Sequence, residues 1–340
     1  MEVQVREAVV ILNWNGDRHL AEFLPSVVEH TPTDVDIVVV DNGSTDSSVS
    51  MLKADFKRIK VVELGCNYGF AAGYNWALSM MEYELVVLLN SDVAVSEGWT
   101  VPLFAALRSD ELLAAVSPKL LSVAAPDTFE YAGASGGFID YFGYPFCRGR
   151  ILQSLERDHG QYDDQRDLLW VSGAAFACRL STFKKLGGFD ADFFAHMEEI
   201  DLCWRFALAG YRVAVVPQSV VYHLGGGTLT IASPHKTYLN HRNNLAMLFK
   251  CAPTSQRIVV AVVRPLLDLA AAFSYLIKGQ GGNFVAVFKA YKDFIAWHPR
   301  LQRKRHAIRS SRKSESAHIY KGSIILRFIF SNRNFGDLTI

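Results

Sequence analysis

The first ninety residues alternate between short β-branched runs and helical stretches, and that alternation leaves few architectures open. Apolar runs at Ala8–Leu12, Asp36–Val40, Lys60–Leu64 and Leu85–Leu89 are rich in Val and Ile. Each is apolar nearly throughout, as a strand covered on both faces must be. Between them Asp17–Glu29, Asp46–Ala54 and Ala71–Met81 read as helices. Strands alternating with helices imply right-handed βαβ units and a parallel sheet. Such sheets bind ligands beyond the carboxyl ends of their strands, so the residues just after each run are the first candidates for a site.

Those residues are polar or small in every case. Asn13-Trp14-Asn15-Gly16 follows the first run and Asp41-Asn42-Gly43-Ser44-Thr45-Asp46 closes the second. Asn67-Tyr68-Gly69-Phe70-Ala71-Ala72-Gly73-Tyr74-Asn75 follows the third, and Asn90-Ser91-Asp92 the fourth. Small residues let a backbone approach a ligand, and a following helix N-terminus favours an anion. A carboxylate placed like Asp41 can accept the imide N–H of a uracil or thymine ring; an ordinary Asx turn with an N-cap has the same pattern. Asp92 supplies the carboxylate that a hard divalent cation bridging two phosphates needs, although Asn-Ser-Asp is also a common turn. No GxGxxG is present, so the usual dinucleotide fingerprint is missing.

Residues 91–250 are less regular, punctuated by Pro118, Pro126, Gly133, Gly136-Gly137, Gly143 and Pro145. Helical spacing returns at Glu198–Ala209, with Gly210 as its C-cap, and a strand Tyr211–Val216 ends at Pro217. On that helix Asp201 and Arg205 pair at i,i+4, and Glu199 lies free at its start. Two adjacent Glu at a helix N-terminus also simply suit the dipole.

In combination these loops resemble the family 2 glycosyltransferases with the GT-A fold, especially the bacterial rhamnosyltransferase-like branch. The resemblance covers about residues 7–250 and continues through Trp170-Val171-Ser172-Gly173-Ala174, Gly187-Gly188-Phe189-Asp190, Glu198–Arg205 and His223-Leu224-Gly225-Gly226-Gly227. It implies an α/β GT-A domain over residues 1–250, a mainly parallel central sheet flanked by helices, and a C-terminal helical extension over 251–340. It implies inverting transfer from a dTDP- or UDP-linked sugar, with rhamnose favoured. Asn13, Asn15, Asp41, Asn67, Gly69, Asn75, Asn90, Ser91 and Asp92 would line the donor site. Asp92 and His223 would hold Mg²⁺ or Mn²⁺, Glu199 would be the base, and Glu198 would support it. Asn90 stands where the family's DxD has its first Asp, and Glu199 where the family has Asp. A sugar-phosphate nucleotidyltransferase would need a Gly-rich, Lys/Arg-bearing N-terminal signature that Asn13–Gly16 does not supply. A non-catalytic nucleotide-sugar-binding protein would have no need of Asp92, Glu199 and His223 together.

The extension differs in charge from the rest. Residues 1–250 carry 20 Lys+Arg against 30 Asp+Glu, and residues 251–340 carry 15 against 4. Ile258–Ile277 is almost wholly apolar apart from Arg264 and Asp268, which share a face with Arg257; no window reaches spanning length, so the helix is expected to lie in a membrane interface. Phe284, Val287, Phe288, Tyr291, Phe294 and Ile295 recur at helical spacing, Trp297 follows, and a basic run extends from Arg300 to Lys313. An anionic membrane surface is the expected partner, with helix packing or a homo-oligomer interface as the plainer reading. A glycan on a polyprenyl or other lipid is the expected acceptor, and no nucleic-acid partner is expected. The start Met1–Glu7 lacks the basic and apolar regions of a signal peptide, and five scattered cysteines fit reduced thiols. The expected location is cytoplasmic, peripheral at the inner face of the cell membrane.

Overall fold

A computed structural model describes residues 6–225, 233–314, 318–330 and 334–338. The reading of the first five residues, and Gly226 and Gly227 of the His223 motif, lie outside the described residues.

The four β-branched runs are strands β1 (Glu7–Asn13), β2 (Asp36–Asp41), β3 (Ile59–Glu63) and β4 (Leu85–Leu89). They lie side by side as β3-β2-β1-β4 and are parallel throughout, Val9 facing Ile37 on one side and Val87 on the other. The connecting helices are α1 (Asp17–His30), α2 (Ser48–Asp55) and α3 (Gly69–Ser79). Helix α2 starts later than the sequence suggests, because the Asp46 carboxylate instead accepts the Ser48 N–H at 3.0 Å. Alternate residues of the strands feed two cores, as a doubly covered sheet requires. Val9, Ile11 and Val39 pack on one face with α1 and with Trp99 and Phe104; Val10, Val38 and Leu88 pack on the other with Tyr74 of α3.

Past β4 the sheet becomes mixed. It gains β5 (Val93–Val95), β6 (Leu113–Ser122), β11 (Arg166–Leu168), β12 (Ala175–Arg179) and β13 (Arg212–His223), in the order β11-β13-β6-β12-β4. Strand β12 runs antiparallel to both neighbours, while β13 is parallel to β6. Pro217 does not end the last strand. The register with β6 slips between Val215 and Val220, so the proline sits in an irregularity where its missing N–H costs no ladder bond. The continuation carries Val221-Tyr222-His223 to the sheet edge, where His223 pairs with Val93.

A second small sheet contains β7 (Gly137–Asp140), β8 (Pro145–Cys147), β9 (Arg150–Ile151) and β10 (Ser154–Leu155), closed by β14 (Ile319–Tyr320) parallel to β7. Phe335 stacks on Phe138 with ring centroids 5.7 Å apart, and the Asp140 carboxylate accepts the Ile324 N–H at 2.9 Å. Elements on both sides of residue 250 therefore share one sheet and one aromatic cluster.

Helices α4 (Thr100–Ser109), α5 (Leu180–Lys185) and α6 (Glu198–Leu208) flank the sheet. The last layer is helical: α7 (Pro234–Cys251), α8 (Thr254–Ile277), α9 (Gly281–Ala296), α10 (His298–Ser310) and α11 (Ile324–Phe330). By length and composition α8 could cross a membrane, where the sequence reading expected no such window. Its polar face is turned inward, towards protein. Arg264 Nη1 donates to Asn244 Oδ1 at 2.6 Å, and Asp268 accepts the Tyr291 hydroxyl at 2.7 Å. Outward stand Ile258, Val262, Leu266, Phe273 and Ile277, the last 87% exposed. The basic run also divides. Arg305 donates to the carbonyls of Phe249, Lys250 and Ala252, Lys304 reaches Asp190 and Asp192, and the guanidiniums of Arg242 and Arg300 both lie against the Trp297 ring, so these groups face protein rather than lipid.

Candidate active site

The loops that leave β1, β2 and β3 are stitched together by amides and hydroxyls. Asn13, fully buried, donates from Nδ2 to Asp41 Oδ1 at 3.4 Å and to Ser44 Oγ at 3.2 Å. Asp41 Oδ2 accepts the N–H groups of Gly43 and Ser44, so much of its carboxylate is engaged in the Asx turn at the end of β2. Asn15 has a positive φ of 50° and its Oδ1 accepts the Thr45 N–H at 2.7 Å. Asn42 spans to the third loop, donating to Asn67 Oδ1 and the Gly69 carbonyl while accepting the Tyr68 N–H. Asn67 in turn accepts the Gly69 N–H at 2.8 Å. Gly69 is obligatory: its φ is +78° and a Cβ would meet the Phe194 ring at 2.5 Å.

Two expectations about the third loop change. The N–H groups of Phe70 and Ala71, at the start of α3, both donate to the Phe194 carbonyl, which takes the place foreseen for an anion. Asn75 is bonded at both ends of its amide to the Phe189 backbone, at 2.8 and 2.9 Å. It fastens α3 to the segment that precedes α6.

The fourth loop meets the end of β13. Asn90 donates its N–H to the Ala174 carbonyl at 2.9 Å, Ser91 follows it, and Asp92 is buried at the carboxyl edge. His223 Nε2 lies 3.3 Å from Asp92 Oδ1. On the opposite side of the imidazole, Nδ1 lies 3.3 Å from Glu130 Oε2, within ion-pair distance but out of line for a hydrogen bond. Burial alone would lower the His223 pKa; the two carboxylates outweigh it and raise it to about 10. Burial would likewise raise Asp92, and the bond and charge of His223 hold it below the usual range. One carboxylate oxygen and one imidazole nitrogen, once that nitrogen has given up its proton, are fitting ligands for Mg²⁺ or Mn²⁺. Among the described residues no group of three His, Cys, Asp or Glu side chains converges to complete a cage. A cation here would need oxygens from a ligand.

Glu198 and Glu199 open α6 after Phe194, His196 and Met197, all with positive φ between 65° and 71°. That strained turn aims both carboxyls into the protein. Each has one oxygen, Oε2, with no hydrogen-bond partner among the described residues. Glu199 lies against Gly173, whose Cβ would come within 3.9 Å of its own. Burial pushes the Glu199 carboxyl up to about 7. Glu198 is also raised well above its ordinary range, by burial first and then by the charge of Glu199. Two neighbouring carboxyls whose proton affinities burial raises are an arrangement expected of an acid–base site. Burial also raises the Cys147 thiol, against the opposing charge and hydrogen bond of Arg150.

The segment leading into the pair is anchored from behind. Asp190 receives Lys250 and Lys304, and Asp192 receives Arg300 at 2.8 Å and Lys304 at 2.6 Å. Asp201 joins Arg205 at 2.8 Å, as the i,i+4 spacing predicts, and Lys250 at 2.7 Å. Asn243 Nδ2 donates to the carbonyls of Phe193, Ala195 and His196. Sequence reasoning assigned no role to Asn42, Glu130 or Asn243. Asn42 adjoins Asp41 in a quoted motif; Glu130 and Asn243 carry no local signal, since their partners are distant in the chain.

Residues 8–132 match the family described as glycosyl transferase family 2. The N-acetylglucosaminyl-diphospho-decaprenol L-rhamnosyltransferase of Mycobacterium tuberculosis is 26% identical over 233 residues, covering 63% of this chain and 75% of that protein. Among solved structures, GalNAc-T7 with UDP, GalNAc and Mn²⁺ superposes with a TM-score of 0.58 at 17% identity, over 74% of this chain and 48% of that one. S. aureus TarS in complex with UDP-GlcNAc gives 0.55 at 18% identity, over 90% and 88%. At these identities the structures establish a shared GT-A fold.

Proposed function

The chain belongs to glycosyl transferase family 2 and is a glycosyltransferase; from that premise we propose inverting transfer of a sugar, rhamnose foremost, from a dTDP- or UDP-linked donor to a lipid-linked glycan. The observation that carries this reading is Glu199, half-buried, with its enclosed Oε2 unpartnered among the described residues and its carboxyl pushed up to about 7. A base so poised takes the proton of an acceptor hydroxyl as that oxygen bonds to the anomeric carbon. The bond from the anomeric carbon to the diphosphate breaks in line, and the nucleoside diphosphate leaves with its electron pair. Glu198, whose carboxyl burial also raises, lies beside it and can hydrogen-bond the acceptor.

Asp92 and His223 would hold Mg²⁺ or Mn²⁺, which when bound neutralises charge on the departing diphosphate. Without a cation the imidazolium of His223 is itself the counter-charge at this edge, and it must lose its Nε2 proton before it can become a ligand. Support for the donor comes from UDP and UDP-GlcNAc in the named structures, and for the acceptor from the decaprenol-linked substrate in the relative's name. The outward row of α8 suits a peripheral position on an anionic membrane at its cytoplasmic face.

Glu199→Gln should keep donor affinity and lower kcat by roughly 10²–10⁴, the usual worth of a general base. Glu198→Gln should be milder, and a dead Glu198→Gln beside an active Glu199→Gln would reverse the two roles. Asp92→Asn should remove Mn²⁺-dependent donor binding in calorimetry while the protein stays folded; an unchanged affinity removes the metal role.

A further inference from the structure

A groove between α7, α8 and the end of α9 plays no part in the chemistry above. It has a volume of about 490 Å³ and is lined by Leu245, Phe249, Val260, Pro265, Phe294 and Ile295, among others. Its mouth merges with the outward row of α8. Ile258 on one lip is 65% exposed and Ile295 on the other 67%. An apolar surface outside a helix whose polar face is buried is the reverse of what water selects.

One end of the groove is cationic. Arg257 lines it, with its guanidinium 4.3 Å from the Phe249 ring centroid. Burial and then the charge of Arg309 lower the Arg257 pKa; Arg305 is lowered to about 10 by burial, Arg257 and Arg309 in turn. Among the described residues no carboxylate pairs with Arg257 or Arg309. The acidic groups of this layer are engaged elsewhere, Asp268 with Arg264 and Asp293 with the Tyr238 hydroxyl. Like charges held together without a counter-ion favour an anion, and the apolar groove beside them favours hydrocarbon.

We propose that the groove binds one acyl chain of an anionic phospholipid, with the lipid phosphate on Arg257. This rests on the membrane-surface reading and adds to it a discrete site with a stoichiometry. With the outward row of α8 against the bilayer, a chain enters sideways from the acyl region without crossing water. The charged end holds the headgroup at the interface, where phosphates already lie.

Full-length protein is mixed with vesicles of phosphatidylglycerol and phosphatidylcholine, and co-sedimentation is measured. The bound protein is then released in mild detergent and weighed by native mass spectrometry. The expected result is one retained phosphatidylglycerol per chain. Ala261 lines the groove, and retention should fall at least ten-fold in Ala261→Trp, whose indole fills it, and in Arg257→Glu. Ala261→Trp should still sediment, because the outward row is intact, and unchanged thermal melting confirms its fold. Sedimentation of the wild type with no retained lipid, equal retention in Ala261→Trp, or a lipid-free dimer overturns the groove and spares the membrane reading. A wild type that stays in the supernatant overturns the membrane reading, and this site with it.

Discussion

The carboxyl edge of the central sheet and the layer of C-terminal helices both bury charge, and they bury it differently. In the helical layer Arg264 meets Asp268, and behind the site Lys250 meets Asp190 and Asp201, so each of these buried charges faces an opposite one. At the edge, Glu198 and Glu199 each keep an oxygen without a partner. A buried ion pair that is fully answered organises structure, and a buried carboxyl left open is costly unless a substrate completes it. The contrast separates residues that hold the site from residues that act in it.

The hardest blow to that division is removal of the helical layer. A chain ending at Lys250 would strip Arg300 and Lys304 from Asp190 and Asp192, and β14 and Phe335 from the small sheet. We expect it to lose cooperative unfolding and soluble expression. A soluble truncation that melts like the full chain and binds donor nucleotide would show that the layer is dispensable. Next in size is the Arg264–Asp268 pair. Arg264→Met leaves Asp268 buried without its main counter-charge and should cost about 3–5 kcal/mol in denaturant titration. Arg264→Met/Asp268→Leu should recover most of that. A double variant as unstable as the single would mean that the pair does more than balance charge.

The smallest effect lies at the edge and has the opposite sign. Burial raises the Glu199 pKa from 4.5 to about 7 in the folded protein, so the folded state holds the proton more tightly than the unfolded one. The stabilisation is complete below pH 4.5 and is lost as pH rises through 7. Glu199→Gln escapes that loss and should exceed the wild type in stability above pH 7, by at most about 3 kcal/mol for the full shift. Equal melting of the two proteins at pH 8 would remove the burial strain on the base. A group that costs stability and whose loss stops turnover belongs to the chemistry.

How far the sequence goes follows from the range of each interaction. Strands β1 to β4 were legible to within a residue or two, because doubly covered β-branched runs announce themselves locally. Strands of two to four residues such as β8 and β9 leave no periodicity to read. The shared face of Arg264 and Asp268 was legible, but the side it turns to was not. Its partners Tyr144, Asn244 and Tyr291 come from other elements. Likewise Pro217 reads as a stop, and only pairing with β6 shows that β13 passes through it to deliver His223. Glu130 entered the site from a stretch without pattern, known only by its distance to that histidine.

The anchoring of Asp190 has a consequence in time. The residues that fix the approach to Glu198 and Glu199 lie more than a hundred positions later, Arg300 and Lys304 at separations of 108 and 114. Synthesis proceeds from the N-terminus, at about 5–20 residues per second. The sheet can form while the chain is still growing, yet Asp190 cannot meet Lys304 until α10 has left the ribosome. The oldest part of the molecule therefore waits on one of the youngest, and a nascent chain carries Glu198 and Glu199 for several seconds before the turn that aims them is secured.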